Sequence, residues 1–345
     1  LINLGIVSTG WISDSFAEAC VRTGMYRIAA VCSRQVEQAE TFGKKYGATL
    51  FFNDIHTLAA CDGVDAVYVA SPNALHYGHC MAALGAGKHV IVEKPAFSNI
   101  GEAREAFTLA REKGVLLLEA IRSLHEANHG AVKAAVAKIG PLCGANLSFM
   151  KRSPRYDLVL AGEAPAIFTL EYSGGALMDL GVYLIYDAVD WFGMPQSAAY
   201  YCHKAHTGAD TGGVVLLRYA DYNVVLNVSK ICNSYMVNEI RSRDHFILLD
   251  AAHNMRSVRL LHNSGGEEEL AQPPKDNWMD DEALCFARLI GGNGDGDSNG
   301  RYGDRDVDGG GQYEALERLS LDVHTLMTEL RLGAGIIFPA DEVHA

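Results

Sequence analysis

No stretch of the chain approaches the roughly 18 consecutive apolar residues that a bilayer-spanning helix requires, which excludes a helical membrane protein. Cations are also scarce. Lys and Arg number 29 against 42 Asp and Glu, a formal net charge of −13. An acidic surface repels phosphate backbones and anionic headgroups. Neither nucleic acid nor a membrane is therefore an expected partner, although a local basic pocket stays open. The eight cysteines, at positions 20, 32, 61, 80, 143, 202, 232 and 285, include no C-x-x-C pair. Scattered thiols suit a reducing, cytoplasmic setting, with most of them serving as small core residues. No repeat of 20 to 50 residues is visible. The apolar amino end, residues 1–7, lacks a basic leader and runs into a glycine turn, so it reads as a strand rather than a signal peptide.

What is present is a chain of 345 residues, 49% hydrophobic and 21% charged. That is about twice the length of a usual domain and favours two domains with sizeable cores. The first third alternates short apolar runs (4–7, 27–32, 64–70, 89–92, 115–119) with helical patterns (12–24, 35–46, 74–86, 100–113). Strand–helix alternation with short, right-handed connections gives a doubly wound parallel sheet covered on both faces. Ligands of such sheets lie at the carboxyl ends of the strands. After about residue 121 the rhythm changes. A helix over 129–138 precedes longer strand-like runs at 144–151, 213–219, 223–230, 245–250 and 258–262, which predict a mostly antiparallel open sheet. The expected division is a dinucleotide-binding domain over 1–121 and a second α+β domain over 122–345. Two further helical patterns, 278–290 and 312–331, flank a Gly/Asp-rich stretch at 291–311.

The first strand–turn–helix is a candidate dinucleotide site. Where the fingerprint reads G-x-G-x-x-G/A, this chain has Ser8-Thr9-Gly10-Trp11-Ile12-Ser13. Gly10 holds the position at which backbone must approach a diphosphate, and the following helix offers free N–H groups and a positive dipole end. An ordinary tight turn is the other reading. The second strand ends in Cys32-Ser33-Arg34, with no acid to hold ribose hydroxyls. A hydroxyl and a guanidinium there suit a 2′-phosphate, so NADP is expected over NAD. Ser71-Pro72-Asn73, with His76, and Glu93-Lys94-Pro95 lie at later strand ends, where a ligand is expected. Lys94 precedes a proline and is biased toward extended backbone, from which it can present its ammonium to the nicotinamide pocket. Asp179 and Tyr183, in Gly174-Gly175-Ala176-Leu177-Met178-Asp179-Leu180-Gly181-Val182-Tyr183, stand four apart and share a helix face. A lysine, a carboxylate and a phenol form a proton-handling set.

These motifs, in this order and spacing, resemble the Gfo/Idh/MocA oxidoreductase family over nearly the whole chain. E-K-P followed by G-G-x-x-x-D-x-G-x-[HY] is far more specific than either alone. The resemblance implies an amino-terminal Rossmann domain and a carboxyl-terminal domain whose open sheet mediates homodimers or homotetramers. It implies that Lys94 contacts substrate and cofactor, that Asp179 is the motif aspartate, and that Tyr183 is the acid/base. The implied substrate is a sugar, polyol or dihydrodiol. Arg155-Tyr156-Asp157 and Ile167-Phe168-Thr169 resemble the loop bordering the substrate pocket in the dihydrodiol-dehydrogenase-like branch. Two departures are Ser8 for the first glycine, and the absence of an aromatic-rich stretch at Glu119-Ala120-Ile121-Arg122.

A second class stays open, a dinucleotide-binding regulator without turnover. Such a protein has no need of Lys94, Asp179 and Tyr183 together, so their joint presence favours an enzyme. No metal site is assigned. Residues 295–306 resemble a calcium loop, with acids or amides at its positions 1, 3 and 5 and glycine at 6. Position 12 is Asp rather than Glu and position 8 is Tyr, so a solvated Gly/Asp insertion is the preferred reading of the stretch.

Overall fold

The computed structural model describes residues 1–273, 275–291 and 309–342. The calcium-loop reading of residues 295–306 lies outside the described residues. The chain forms two compact units. The first comprises Leu1–Phe97, Gly101–Arg122 and Lys275–Leu321, the second Ser98–Ile100, Ser123–Pro274 and Asp322–Ala345.

The first unit is built on a parallel sheet. Its strands are β1 (Ile2–Val7), β2 (Tyr26–Cys32), β3 (Leu50–Phe52), β4 (Ala66–Val69), β5 (His89–Glu93) and β6 (Leu117–Ala120), in the order β3-β2-β1-β4-β5-β6. Every neighbouring pair is parallel. β4, β5 and β6 are buried along their whole lengths, as continuous apolar runs covered on both faces must be. The connections are α1 (Trp11–Thr23), α2 (Val36–Lys45), α3 (Ile55–Ala59), α4 (His76–Gly85) and α5 (Ile100–Lys113). Gly24, at φ 66°, ends α1 in the left-handed conformation that glycine adopts most cheaply. The strand order reverses between β1 and β4, so the loops that follow these two strands flank the crevice where doubly wound sheets bind ligands. The sequence reading contained neither β3 nor α3. Three and five residues are too short to display a period.

The second unit carries the other sheet. Its strands are β7 (Leu142–Met150), β8 (Ser197–Lys204), β9 (Asp210–Arg218), β10 (Asn223–Ser229), β11 (Asn238–Ser242), β12 (His245–Leu249), β13 (Val258–His262) and β14 (Glu267–Glu269). Their order is β14-β13-β12-β11-β7-β10-β9-β8. All neighbours are antiparallel except β7 and β10. Inward residues alternate along the strands, as in Val224, Leu226 and Val228 of β10, each buried. The helices of this unit include α6 (Ala127–Val136), α7 (Tyr156–Leu160) and α8 (Val182–Phe192). α8 is buried at every position from Val182 to Val189, Asp187 included, so it is enclosed on all sides rather than striped.

The remaining helices are α9 (Asp280–Gly291) and α10 (Gly309–Gly333). α9 belongs to the first unit, which a linear division at residue 121 does not anticipate. Its Ala283, Phe286, Ala287 and Ile290 join Phe16, Ala17 and Cys20 of α1 in one core. The Tyr26 hydroxyl donates to the Ala283 carbonyl at 2.8 Å, a buried bond across 257 positions.

The Gly174-Gly175 pair is explained locally. A Cβ on Gly175 would lie 2.0 Å from Asp210 Oδ1, and its φ is +127°; a Cβ on Gly174 would lie 2.6 Å from the Ile167 carbonyl oxygen. Gly175→Ala is therefore expected to cost about 3 kcal/mol or more, read as a fall in the urea unfolding midpoint. An unchanged midpoint would show that the turn adapts.

Candidate active site

The loop after β1 begins at Ser8, whose φ of 94° lies in the region that favours glycine. Its N–H donates to the Cys32 carbonyl at 2.9 Å, tying the end of β1 to the end of β2. Ser8 thus adopts the conformation that the missing fingerprint glycine supplies more cheaply. Gly10 is the N-cap of α1, and no side chain caps the helix there. A Cβ on Gly10 would approach only Ser8 Oγ, at 3.8 Å. Neither packing nor φ within the chain demands glycine at this point. Thr9 and Ile12 are half-buried and Trp11 exposed, its ring stacked on Trp278 at 6.0 Å. After β2, the Ser33 N–H donates to Phe52 and its hydroxyl to Gln38, while Arg34 is exposed.

The loops after β4 and β5 are pinned from behind. His76 is buried, with Nε2 at 2.6 Å from the Ser71 carbonyl and Nδ1 at 3.1 Å from the Pro95 carbonyl. Burial pushes its imidazole down to about 4, against the two carbonyls, which favour the charged form. The ring lies between the Ser71-Pro72-Asn73 loop and the loop that carries Lys94, and in its neutral form donates to one of the two carbonyls. Ser71 bonds His79 Nδ1 through its hydroxyl, and Asn73 opens a 3₁₀ turn over 73–75 behind Pro72. Glu93 is also buried, and burial pushes its carboxyl up; it accepts from the Tyr68 hydroxyl at 2.6 Å and from the Lys94 N–H at 3.3 Å. Glu119 accepts from the Ala96 N–H at 3.0 Å and from the Ser320 hydroxyl at 2.6 Å. Lys94 is half-buried at the end of this set. His76 and Glu93, read from sequence as cofactor contacts, thus spend their side chains on holding the two loops.

In the second unit, Asp179 lies in a π turn, Leu177–Gly181, that leads directly into α8. Such turns occur disproportionately at functional sites. The turn begins where the Leu177 N–H donates to buried Asp210 at 2.7 Å, the same carboxylate that accepts from Tyr200. Tyr183 follows in the first turn of α8. It is buried to 8% exposure, edge-on to Phe149 of β7 at 5.7 Å and to His253 at 6.3 Å. Asp179 accepts from Lys230 at 2.6 Å, a partner that the sequence reading left without a role. Phe168 is fully buried, and Tyr156 packs against it at 5.9 Å.

Comparison with known proteins bears on this pairing of a nucleotide-type turn with a lysine, an aspartate and a tyrosine. Residues 2–121 match the model for the oxidoreductase family with an NAD-binding Rossmann fold, and residues 131–243 match the GFO/IDH/MocA carboxyl-terminal domain. The chain belongs to the Gfo/Idh/MocA family. It is an oxidoreductase whose first unit is an NAD-binding Rossmann fold. Among its relatives in this family, scyllo-inositol 2-dehydrogenase (NADP(+)) of Bacillus subtilis is 36% identical over 342 residues, 99% of this chain and 100% of that one. The uncharacterized oxidoreductase YgjR of Escherichia coli is 33% identical over 99% of both chains. The fold is shared with KijD10, a 3-ketoreductase from Actinomadura kijaniata crystallised with NADP and TDP-benzene. That likeness has a TM-score of 0.79 at 23% identity and covers 96% of this chain and 97% of the other.

Within the family pattern, the first unit carries Ser8 to Gly10, Ser33, Arg34, Ser71 to Asn73 and Lys94 on the segments that follow β1, β2, β4 and β5, and Trp11 and Ile12 in the first turn of α1. The second unit gathers Asp179 and Tyr183. Two members of these hydrogen-bond networks escaped the sequence reading. Glu119 is a lone acid in an apolar strand. Lys230 continues the inward alternation of Val224, Leu226 and Val228, which was the available signal. Of the cysteines, three (20, 32 and 80) are buried; 143 and 232 are exposed and the other three half-buried.

His76 has a consequence for pH. Its folded-state value is depressed below the unfolded one near 6.5. The stability it contributes is complete above the unfolded value and is lost as pH falls from about 6.5 toward 4. His76→Asn should flatten the fall of the urea midpoint across that window. Superimposable pH profiles would rule out a neutral buried ring.

Proposed function

We propose that the protein is an NADP-dependent dehydrogenase or reductase that interconverts a carbinol and a carbonyl carbon of a polyol, sugar or diol. One observation carries this reading, the end-to-end relation at 36% identity to an inositol dehydrogenase that uses NADP. The chain's own residues fit the cofactor. A glycine at position 10 that packing does not demand, the uncapped N-terminus of α1 and an exposed arginine in place of an acid after β2 suit a diphosphate and a 2′-phosphate. Ser8, Thr9, Gly10, Trp11 and Ile12 serve the diphosphate, and Ser33 and Arg34 the 2′-phosphate. Ser71, Pro72, Asn73 and Lys94 border the nicotinamide. NADP, when bound, supplies the two-electron acceptor or donor.

The remaining chemistry belongs to the polypeptide. Tyr183 takes the proton from the reacting hydroxyl in oxidation and returns it in reduction. Lys94 supplies a cation for the developing alkoxide, and Asp179 orients the hydroxyl by accepting from it. The thiols are all free, which fits a cytoplasmic setting. The sheet of the second unit offers a self-association face for a homodimer or homotetramer. Tyr201 and Val214, paired across β8 and β9, are 70% and 39% exposed, and Leu216 is 38% exposed. No described helix is long and apolar enough to cross a membrane.

The first test is absorbance at 340 nm with NADP and a panel of inositols, aldoses and diols. Lys94→Ala and Tyr183→Phe are each expected to lower kcat by about 10²- to 10⁴-fold. Parental turnover in either would remove that residue from the set. NADP binding without turnover on any panel member would favour a dinucleotide sensor. Arg34→Ala should weaken NADP by about ten- to a hundredfold, the worth of a charge-assisted contact, and leave NAD unchanged; equal weakening of both would reject the 2′-phosphate role. The double variant Val214→Glu/Leu216→Glu should reduce the mass seen by light scattering to that of one chain. A parent already of that mass would overturn the oligomer.

A further inference from the structure

We propose that Lys230 is a positioning residue for the reaction, holding the Asp179 carboxylate in its working orientation. The inference rests on the reading of Asp179 given above and adds to it a residue outside the family motif. Lys230 follows directly on β10. Its side chain is 2% exposed, and its Nζ donates to Asp179 Oδ2 at 2.6 Å. The Phe168 ring lies 4.8 Å from the same ammonium and shields it on that side.

The backbone of Lys230 is fixed at both polar groups. Its N–H donates to the Thr211 carbonyl at 2.8 Å, and its own carbonyl accepts from the Ser153 N–H at 2.8 Å. The lysine therefore projects from a rigid strand end rather than from a mobile loop. Asp179 is held less firmly by its own segment. Its N–H bonds the Gly175 carbonyl at a long 3.2 Å, in a π turn that departs from regular helix geometry. The better-fixed partner sets the orientation of the other, so fixing Oδ2 fixes the plane of the carboxylate.

Packing alone does not explain a lysine here. An apolar residue at this inward position would be spared the desolvation of a buried ammonium, so the lysine answers to charge, that of the Asp179 carboxylate it bonds and that of buried Asp210, whose carboxyl it lowers. The Asp179 carboxylate is 23% exposed, so the pair has one closed end and one accessible end. That arrangement suits a support whose working end faces a ligand.

A mutant cycle tests this with NADP and scyllo-inositol, or with whichever panel member turns over. Lys230→Met is expected to lower kcat about a hundredfold, with the dissociation constant for NADP, read by fluorescence titration, within about twofold of the parent. Lys230→Arg, which keeps a cation, should recover to within about tenfold. In an Asp179→Asn background, Lys230→Met should cost less than about threefold. Parental kcat in Lys230→Met overturns the proposal, as does a cost undiminished by Asp179→Asn. Should Lys230→Met fail to bind NADP, Lys230→Gln against Lys230→Arg carries the same comparison. The two readings fail separately: a fully active Asp179→Asn removes the aspartate's role, whereas an inactive Asp179→Asn beside an active Lys230→Met removes only the lysine's.

Discussion

The chemistry of the second unit is arranged around one buried carboxylate, that of Asp210. Enclosing an ionised carboxylate costs several kcal/mol unless donors surround it. Here the Tyr200 hydroxyl and the Leu177 N–H, both on Oδ2, and the nearby charge of Lys230 offset part of that cost, and burial still holds the Asp210 carboxyl above its ordinary range. The carboxylate occupies the space that a side chain at 175 would need, which dictates glycine there. By taking the Leu177 N–H it fixes where the π turn starts, and so where Asp179 falls relative to the first turn of α8. A single buried acid thereby sets the backbone from which Asp179 and Tyr183 project.

The first unit solves a different problem by a related means. The segments that follow its strands β1, β2, β4 and β5 are mostly loops, which lack the internal bonding of helices and strands. Three buried side chains, His76, Glu93 and Glu119, supply that bonding from the protein interior. Each engages backbone groups of a strand-end loop, where unpaired N–H and C=O groups would otherwise be buried at a cost of about 1–3 kcal/mol apiece. Lys94 needs such a platform because its long side chain carries much rotamer entropy of its own.

The division between what was legible in sequence and what was not follows the physics of each signal. The long apolar runs of β1, β2, β4, β5 and β6 announced a parallel sheet, because strands buried on both faces have no polar register to hide. The family to which the chain belongs was legible through the order and spacing of the motifs that contain Lys94, Asp179 and Tyr183. β3 and β14 span three residues each and carry too little pattern to read. The return of α9 to the first unit was hidden because helix amphipathicity reports that a face is buried, never against what. His76 and Glu93 were assigned to the cofactor because chemistry-bearing residues beside a strand end look alike in sequence whether they point outward to a ligand or inward to a carbonyl. Lys230 was missed for the opposite reason. It was read as the polar end of a strand, although the alternation before it placed it inside.

Within an acidic chain, a buried cation marks a place where charge is needed. Arg331 and Lys230 are both about 1% exposed and both paired with an aspartate, yet they serve different ends. Arg331 spreads its guanidinium over both oxygens of Asp341 and the carbonyls of Ile336 and Ser98, so the planar fork ties four chain segments of one unit together. That is a structural clamp, and its geometry suits a group that never has to yield. Lys230 offers a compact ammonium, a point charge on a flexible stem, to a carboxylate that retains solvent contact. A point charge fixes the position of its partner without occupying both oxygens in a rigid plane, and so lets the carboxylate go on accepting from another donor. Lysine at 230 and arginine at 331 thus match a carboxylate that keeps more solvent contact and one that is more closely enclosed.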